Sequence, residues 1–436
     1  MRAPAAGQDR VLVVTLGCSK NLYDSEVLMG RLRDARVKVA HETAPGRAAT
    51  VVVNTCGFIA SAKQESLDEI LRFAEAKKKG AIRRLFVTGC LSERYRRDLE
   101  REIPEVDAFF GTRELPRLLA ALRAGRGREL PGGRLLTTPR HFAYLKISEG
   151  CDRRCSFCAI PLMRGRHVSQ PIRTLVAQAR RLAAGGVREL LLIAQDSTSY
   201  GLDLYGQRRL ADLLRALSDV PGVDWLRLHY AFPTGFPREA LQVMRERPNI
   251  CKYLDLPLQH ISDRLLRSMR RGTTRAKTDA LIAEIRDRVP GIALRTSLIA
   301  GYPGETRAEH EELLEWVART RFERLGVFEY SHEEDTAAFA LSDDVPPLEK
   351  QRRVRALMEL QQGVSRELNE AQRGRALRIL VDRREGRRFV GRTEHDSPEV
   401  DNEVLVDAAP ARLKVGDFAS VRVTGASEYD LTAVPA

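Results

Sequence analysis

The chain has 436 residues, of which 43% are hydrophobic and 30% charged, and its formal net charge is +13. Its length exceeds the size at which one hydrophobic core stops growing, so we expect two or three globular domains; no apolar run reaches transmembrane length, and the first ten residues lack the apolar stretch of a signal peptide. The positive charge predicts a polyanionic partner such as RNA or a ribosomal surface, unless the arginine-rich stretches are only solvated faces.

Three apolar segments open the chain, and each leads directly into a cysteine. The segments cover residues 11–16, 50–54 and 84–88, and the cysteines are Cys18, Cys56 and Cys90. Helical patterns lie between the segments, so the order of elements predicts an open α/β sheet at the amino terminus. Ligands of such sheets gather beyond the carboxyl ends of the strands, and we therefore expect the three thiols to converge there. The alternative is three unrelated buried cysteines.

Beyond a glycine- and proline-rich stretch at 125–133, which predicts a linker, three more cysteines stand close together. They are Cys151, Cys155 and Cys158, with three residues between the first two and two between the last two. Thiolates suit iron–sulfur clusters or zinc, and three of them leave one metal position free for another ligand. Zinc is the less favoured alternative, because nearby only His141 and His167 could complete its coordination.

Strands alternate with helices from about residue 140 to 367, which predicts a parallel, barrel-like sheet. The apolar segments lie at 189–194, 225–230, 252–256, 293–300 and 325–330. Such sheets carry their chemistry on the loops that follow the strands. Polar candidates on these loops are Gln195, Asp196 and the Gly-Tyr-Pro-Gly-Glu-Thr segment at 301–306, whose glycines allow a ligand to approach the backbone closely. Cys251 lies beside an apolar strand and is interpreted as structural.

After a helical pattern at 354–368, short strands at 379–382, 403–406 and 418–424 are separated by glycine and proline, which predicts a small β-barrel. Barrels of the OB type often bind RNA. Residues 370–436 nevertheless carry twelve acidic against eleven basic side chains. Phosphate contact requires an excess of lysine and arginine, so this charge argues against RNA as the partner of the barrel.

The cysteine triad and the residues after it resemble the radical S-adenosylmethionine (SAM) enzymes, most closely their methylthiotransferase branch. The motifs that carry the resemblance are Cys151 to Cys158, Ala159-Ile160-Pro161, Arg164-Gly165-Arg166, and the segments around Cys18 and Cys56. The resemblance implies an amino-terminal methylthiotransferase domain at 9–125, a radical SAM partial (β/α) barrel at 137–367 and a TRAM domain, a small OB-like barrel, at 370–436.

The same resemblance implies two four-iron clusters. Cys151, Cys155 and Cys158 would hold the cluster that chelates SAM and cleaves it to a 5'-deoxyadenosyl radical. Cys18, Cys56 and Cys90 would hold an auxiliary cluster that carries the sulfur to be transferred. Contacts to SAM are expected from Gln195, Asp196, Gly301, Gly304 and Glu305. Two positions differ from the family pattern: Gln195-Asp196 stands where a Gly-Gly-Glu-like motif is usual, and Gln170 stands where Arg is usual.

Within this branch the loops are most similar to the enzymes that add a methylthio group to the β carbon of an aspartate on a small-subunit ribosomal protein, the twelfth. The motifs are Gly17 to Asn21, Lys146 to Cys151, Gln195 to Gly201 and Leu256 to His260. The implied partners are that protein or the small ribosomal subunit, and an electron donor such as flavodoxin or ferredoxin. The chain is expected to be cytoplasmic and monomeric. The alternatives are methylthiolation of a tRNA adenosine and a non-catalytic RNA-binding or zinc scaffold.

Overall fold

The computed structural model describes residues 10–41, 49–122, 133–407 and 413–436, so most of the predicted linker lies outside the described residues. The chain forms two compact units. The first extends to Thr138 and also contains Glu149–Arg153 and Cys158–His167, whereas the second contains Pro139–Ser148, Arg154–Phe157 and Val168–Ala436. Among the described residues, no helix combines the length and the apolarity that a membrane crossing requires.

The first unit is built on a five-stranded parallel sheet with the order β2-β1-β3-β4-β5. Its elements in chain order are β1 (Arg10–Thr15), α1 (Ser19–Asp34), β2 (Lys38–His41), β3 (Thr50–Thr55), α2 (Ala60–Lys78), β4 (Arg84–Gly89), α3 (Cys90–Glu102), β5 (Ala108–Phe109) and α4 (Leu115–Ala121). The predicted open α/β sheet is confirmed. The strands β2 and β5 were not predicted, because four and two residues are too few to give a periodic signal.

Both faces of this sheet are buried, which explains why its central strands read as continuous apolar runs. Val51 and Val53 pack into one cluster with Ile70 of α2. Val52 points to the opposite cluster, together with Met29 of α1. Successive strand residues alternate between the two clusters, as the pleat of a strand requires. The cysteines that follow β1, β3 and β4 thereby start from a rigid edge.

The second unit contains a six-stranded parallel sheet with the order β13-β12-β11-β10-β9-β6, which confirms the predicted partial barrel. The elements that follow α4 are β6 (Phe142–Lys146), β7 (Ser148–Glu149), α5 (Ile160–Arg164, within the first unit), β8 (Val168–Ser169), α6 (Ile172–Ala184), β9 (Glu189–Ile193), α7 (Leu202–Tyr205), α8 (Leu210–Ser218), β10 (Trp225–Leu228), α9 (Arg238–Glu246), β11 (Ile250–Asp255), α10 (Asp263–Ser268), α11 (Arg275–Arg288), β12 (Ala293–Ala300), α12 (Arg307–Thr320), β13 (Arg324–Glu329) and α13 (Pro347–Glu370).

The carboxyl-terminal strands close into a barrel with the order β14-β15-β16-β18-β17, as the sequence predicts for a small OB-like domain. They are β14 (Ala376–Glu385), β15 (Arg388–Thr393), β16 (Val404–Asp407), β17 (Phe418–Ala426) and β18 (Leu431–Pro435). Its interior is filled by inward-facing aliphatic side chains such as Ile379, Val406 and Val421. This barrel belongs to the same compact unit as the six-stranded sheet.

A buried ion network joins the carboxyl-terminal barrel to the six-stranded sheet. Glu189, the first residue of β9, accepts hydrogen bonds from Nε of Arg227 at 2.8 Å and from Nη2 of Arg392 at 2.7 Å. Arg392 also binds Asp382 of β14. The side chains of Glu189, Arg227 and Arg392 are each at most 2% exposed. Because a buried charge is tolerated only with partners, these contacts hold the barrel against the start of the central strands.

Candidate active site

The structure brings Cys18, Cys56 and Cys90 together at the carboxyl edge of the amino-terminal sheet. Cys18 is the exposed residue that precedes α1, Cys56 follows β3 and is 7% exposed, and Cys90 begins α3 and is 6% exposed. The thiol of Cys56 interacts electrostatically with both of the others. The sequence predicts this convergence, and the identity of the group that the cysteines hold stays a prediction.

Two glycines allow the cysteine segments to approach one another. Gly17 has a φ of +89°, and a Cβ at this position would lie 2.7 Å from Cβ of Cys56. A Cβ on Gly57 would lie 2.8 Å from the backbone nitrogen of Leu91 and 2.9 Å from the carbonyl carbon of Cys90. Such distances are too short for a real side chain. Glycine is therefore required beside these thiols for steric reasons, and at Gly17 also for its positive φ.

Two buried polar side chains hold the ends of the strands in register. Nδ2 of Asn21 donates to the carbonyls of Leu16 at 2.8 Å and of Thr55 at 3.0 Å, so one amide bridges the strand ends that precede Cys18 and Cys56. Oγ of Ser66 accepts from the backbone N–H of Cys56 at 2.9 Å and donates to its carbonyl at 3.0 Å. Both side chains are fully buried.

Burial sets the protonation of the inner thiols. Desolvation, reinforced by the neighbouring Cys18, raises the pKa of Cys56 to about 12. Burial also raises the pKa of Cys90, although the charge of Arg164 opposes this shift. In the metal-free protein these thiols therefore carry protons, and a metal must displace them because only the thiolate is a ligand.

The chemistry of the donor set suits an iron–sulfur cluster. In a four-iron cluster each thiolate binds a different iron, whereas a structural zinc ion needs four ligands around one centre. Soft thiolates without carboxylate or imidazole partners are the donors that such clusters use.

The side chain of Arg164, at the end of α5, lies beside Cys90. Its Nε donates to Sγ of Cys90 at 3.2 Å, and its Nη1 binds Asp24 at 2.6 Å and Glu149 at 3.3 Å. Nη2 donates to the side-chain oxygen of Asn21. The side chain is only 2% exposed. The sequence singles out the Arg-Gly motif but gives no sign of this contact, since the partners are distant in the chain.

Cys151 and Cys158 belong to the first unit. The backbone N–H of Cys151 donates to the carbonyl of Gly165 at 2.9 Å, so the Arg-Gly motif packs directly against the backbone of the triad. Cys151 is 9% exposed, whereas Cys158 is partly exposed. The motif that follows the triad in sequence therefore contributes to the shape of the cysteine loop.

Cys155 belongs to the second unit, where a buried arginine faces its sulfur. Nη1 of Arg271 lies 3.3 Å from Sγ of Cys155. The next residue, Ser156, receives a hydrogen bond at its carbonyl from Ala338 and shares one between its hydroxyl and that of Tyr302 at 2.9 Å. Tyr302 belongs to the predicted SAM loop. Within this unit, the segment that carries Cys155 is thus fixed to that loop.

The predicted SAM loop at 301–306 is held from inside by Glu305. Gly301 and Gly304 have φ values of +79° and +76°, and the N–H of Gly301 donates to the carboxylate of Glu305. Arg353, His260 and His310 contact the same carboxylate at 3.3, 3.6 and 3.5 Å respectively. Burial would raise the pKa of Glu305, but its contacts with His260 and His310 hold that pKa well below its usual range. Glu305 therefore remains ionised and fixes the loop.

Gln195 and Asp196 follow β9, as predicted for the loop at the carboxyl end of the barrel. Gln195 is half-buried and Asp196 is buried. The carboxylate of Asp196 accepts from the N–H of Thr198 at 2.9 Å and from the hydroxyl of Ser199 at 2.7 Å, which caps the short 3₁₀ turn at Ser197–Ser199. Asp196 therefore shapes the loop that presents Gln195.

Gln170, where the family usually has arginine, joins the end of β6 to helix α6 and to the loop after β9. Its Nε2 donates to the carbonyl of Lys146 at 2.6 Å, and its Oε1 accepts from Gln178 at 2.9 Å. The hydroxyl of Tyr200 donates to its backbone carbonyl. A neutral amide satisfies these contacts with both a donor and an acceptor, which arginine could not do.

Cys251 is separate from both cysteine sets. It is 1% exposed and packs in an apolar cluster with Trp225, Tyr253 and Leu380. Burial raises the pKa of Cys251 to about 12. A protonated thiol in such surroundings behaves as a small hydrophobic side chain, which agrees with the structural role that its sequence context predicts.

Three protein families match the chain in sequence. They are described as the uncharacterized protein family UPF0004 over residues 10–111, the radical SAM superfamily over 145–317 and the TRAM domain over 374–435. Curated relatives are similar over nearly the whole length. Ribosomal protein uS12 methylthiotransferase RimO of Flavobacterium johnsoniae is 57% identical, with 100% of each chain covered. The protein of the same name from Porphyromonas gingivalis is 55% identical, with 98% of this chain and 99% of that protein covered.

Solved structures share the fold at low sequence identity. The radical SAM methyltransferase TsrM from Kitasatospora setae, with cobalamin and a [4Fe-4S] cluster bound, has a TM-score of 0.53 and 17% identity, and the match covers 74% of this chain and 75% of that one. The cobalamin-dependent SAM radical enzyme OxsB in its apo form also has a TM-score of 0.53, with 12% identity over 81% of this chain and 56% of that one. Matches at this identity show a common fold alone.

Proposed function

The chain belongs to the RimO family of ribosomal protein uS12 methylthiotransferases, and from this we propose that it adds a methylthio group to the β carbon of an aspartate of uS12. The observation that carries the proposal is identity above half over the whole chain with relatives of that name. The alternative acceptor, a tRNA adenosine, is not favoured by any of these relatives. The slightly acidic carboxyl-terminal barrel also suits a basic ribosomal protein better than a nucleic acid.

The proposed cofactors are SAM and two four-iron clusters. Cys151, Cys155 and Cys158 would hold one cluster, and the three cysteines at the edge of the amino-terminal sheet would hold the other. When bound, the clusters would supply the electron that cleaves one SAM to a radical and the sulfur that is transferred, and a second SAM would supply the methyl group on that sulfur. The convergence of Cys18, Cys56 and Cys90 at one edge of the sheet supports the second cluster, because soft thiolates are the ligands that such clusters use.

The residues of the chain itself bind and orient the substrates. We assign contact with SAM to Gln195, Gly301 and Gly304, whose loops follow strands of the six-stranded sheet. Asp196 and Glu305 are also predicted to contact SAM. Their carboxylates accept hydrogen bonds from the backbone of their own loops, so both residues would contact SAM while they hold those loops in shape. Rigid loops matter because a reactive radical must meet only the intended hydrogen atom, which requires close positioning.

The domain limits 9–125, 137–367 and 370–436 belong to the same proposal. The proposal also includes a monomeric state and a location in the cytoplasm, where ribosomal proteins are assembled. The source of electrons is a flavodoxin or a ferredoxin. The uneven distribution of charge along the chain supports a separate contact for each partner, since the positive excess lies outside the carboxyl-terminal barrel.

The acceptor is tested by mass spectrometry after anaerobic reconstitution. The enzyme is incubated with SAM, a reductant and one of three substrates: free uS12, small ribosomal subunits or bulk tRNA. We expect a mass increase equal to one methylthio group on a single aspartate of uS12. The variant Cys151→Ala, Cys155→Ala, Cys158→Ala serves as the inactive control. A methylthio-adenosine with an unmodified uS12 would contradict the proposed acceptor.

The number of clusters is tested by iron and sulfide analysis of two triple variants. The first replaces Cys151, Cys155 and Cys158 by alanine, and the second replaces Cys18, Cys56 and Cys90. Each is expected to retain about half of the wild-type iron, because the other thiolate set remains complete. The variant Cys251→Ala is the matched control and should retain the full iron content of the wild type. If the first triple variant contained no iron, the claim of two clusters would be wrong.

A further inference from the structure

The guanidinium of Arg164 is a buried cation with a fixed orientation. It is held by carboxylates on two sides, Asp24 of α1 and Glu149 of β7, and by the side-chain oxygen of Asn21. Removing an arginine from water is costly unless all its N–H groups find acceptors. These partners bind the two terminal nitrogen atoms, Nη1 and Nη2, and thereby fix the plane of the guanidinium group.

The remaining donor, Nε–H, points to Sγ of Cys90 at 3.2 Å. Sulfur is a weak acceptor when protonated, whereas a thiolate that binds iron is a strong one. The geometry therefore places a cation and a hydrogen-bond donor on one sulfur of the proposed auxiliary cluster.

We propose that Arg164 is a positioning residue that raises the reduction potential of the iron–sulfur cluster held by Cys18, Cys56 and Cys90. The inference rests on the proposed function, which assigns a cluster to these thiols. Reduction adds negative charge to a cluster, and hydrogen bonds to its sulfur atoms together with nearby positive charge stabilise the reduced state. Glu149, one of the two carboxylates that hold Arg164, stands two residues before Cys151 in the sequence.

The alternative is that Arg164 only anchors α5 to the sheet. The two roles differ in what a conservative variant does. Arg164→Lys keeps the positive charge and can still bind Asp24, but it lacks the planar fork that lets one side chain bind a carboxylate and a sulfur at once. Arg164→Gln removes the charge as well. A mere anchor would affect stability in both variants without an ordered effect on the potential.

The experiment measures the midpoint potential of the auxiliary cluster alone. In the full chain carrying Cys151→Ala, Cys155→Ala and Cys158→Ala, a redox titration followed by electron paramagnetic resonance compares the parent with Arg164→Lys and Arg164→Gln. We expect the potential to fall in the lysine variant and to fall further in the glutamine variant. Arg113→Gln is the matched control, because Arg113 binds the carbonyl of Arg164 and should leave the potential unchanged.

Each outcome decides the proposal. If the cluster of Arg164→Gln has the same midpoint potential as that of the parent triple variant, the proposed role of Arg164 is wrong and the proposed function is unaffected. If the parent triple variant itself contains no iron, the auxiliary cluster does not exist and this inference fails with it. If Arg164→Gln takes up no iron, the potential of Arg164→Lys decides in the same way, and an unchanged value there overturns the proposal.

Discussion

Replacing Glu189 by alanine is expected to destabilise the second unit by about 3 to 5 kcal/mol, the usual cost of removing one partner from a buried ion pair. The carboxylate of Glu189 lies between two guanidinium groups, those of Arg227 and Arg392, and all three side chains are almost completely buried. Without it, Arg227 would keep only neutral partners among those described, the carbonyls of Thr393 and Glu394. A buried guanidinium without a counter-charge is the source of the cost.

The measurement is urea unfolding of the anaerobically prepared protein, followed by circular dichroism. Asp407→Ala is the matched control, because Asp407 forms an exposed ion pair with Arg388 in the same barrel. Exposed pairs contribute at most about 1 kcal/mol, so this variant should unfold close to the wild type. A Glu189→Ala protein as stable as Asp407→Ala would show that the network does not hold the barrel to the sheet.

The parts of the fold that local patterns encode were predictable from the sequence. The strands before Cys18, Cys56 and Cys90 are continuous apolar runs, and the rule that ligands gather at the carboxyl ends of parallel strands then predicts that the three thiols converge. The strand β15 was not predicted because its arginines interrupt the alternation of apolar and polar residues. Its buried Arg392 faces the ion network, where a charge replaces an apolar side chain.

The side chains that support the site were not predictable, because their partners are distant in sequence. Asn21 bridges the ends of β1 and β3, and Arg164 reaches Cys90 across 74 positions. Glu189 and Arg392 are 203 positions apart. No periodicity in the sequence connects such pairs. The one local sign of them is a charged residue, Glu189, at the start of an apolar strand. The loop residues Asp196 and Glu305 show the converse, since the sequence finds their positions but not the internal contacts that they make.

Replacing Cys18, Cys56 and Cys90 together by alanine is expected to abolish methylthio transfer while SAM is still cleaved. The loops that carry Gln195 and Gly301 belong to the second unit and do not depend on these thiols. The proposed source of sulfur is lost, but the thiolates Cys151, Cys155 and Cys158 remain. The two halves of the reaction should therefore separate, with loss of the product to below detection and retention of 5'-deoxyadenosine.

Chromatography of the nucleoside products and intact-mass analysis of uS12 measure the two activities in one reaction. Cys251→Ala is the control for loss of a buried thiol, and it should retain both, because Cys251 packs among apolar side chains in the other unit. Loss of 5'-deoxyadenosine in the triple variant, with iron at half the wild-type content, would mean that the amino-terminal thiols are needed for SAM cleavage itself. Continued formation of methylthio-aspartate would mean that the transferred sulfur has another source, since no auxiliary cluster could then supply it.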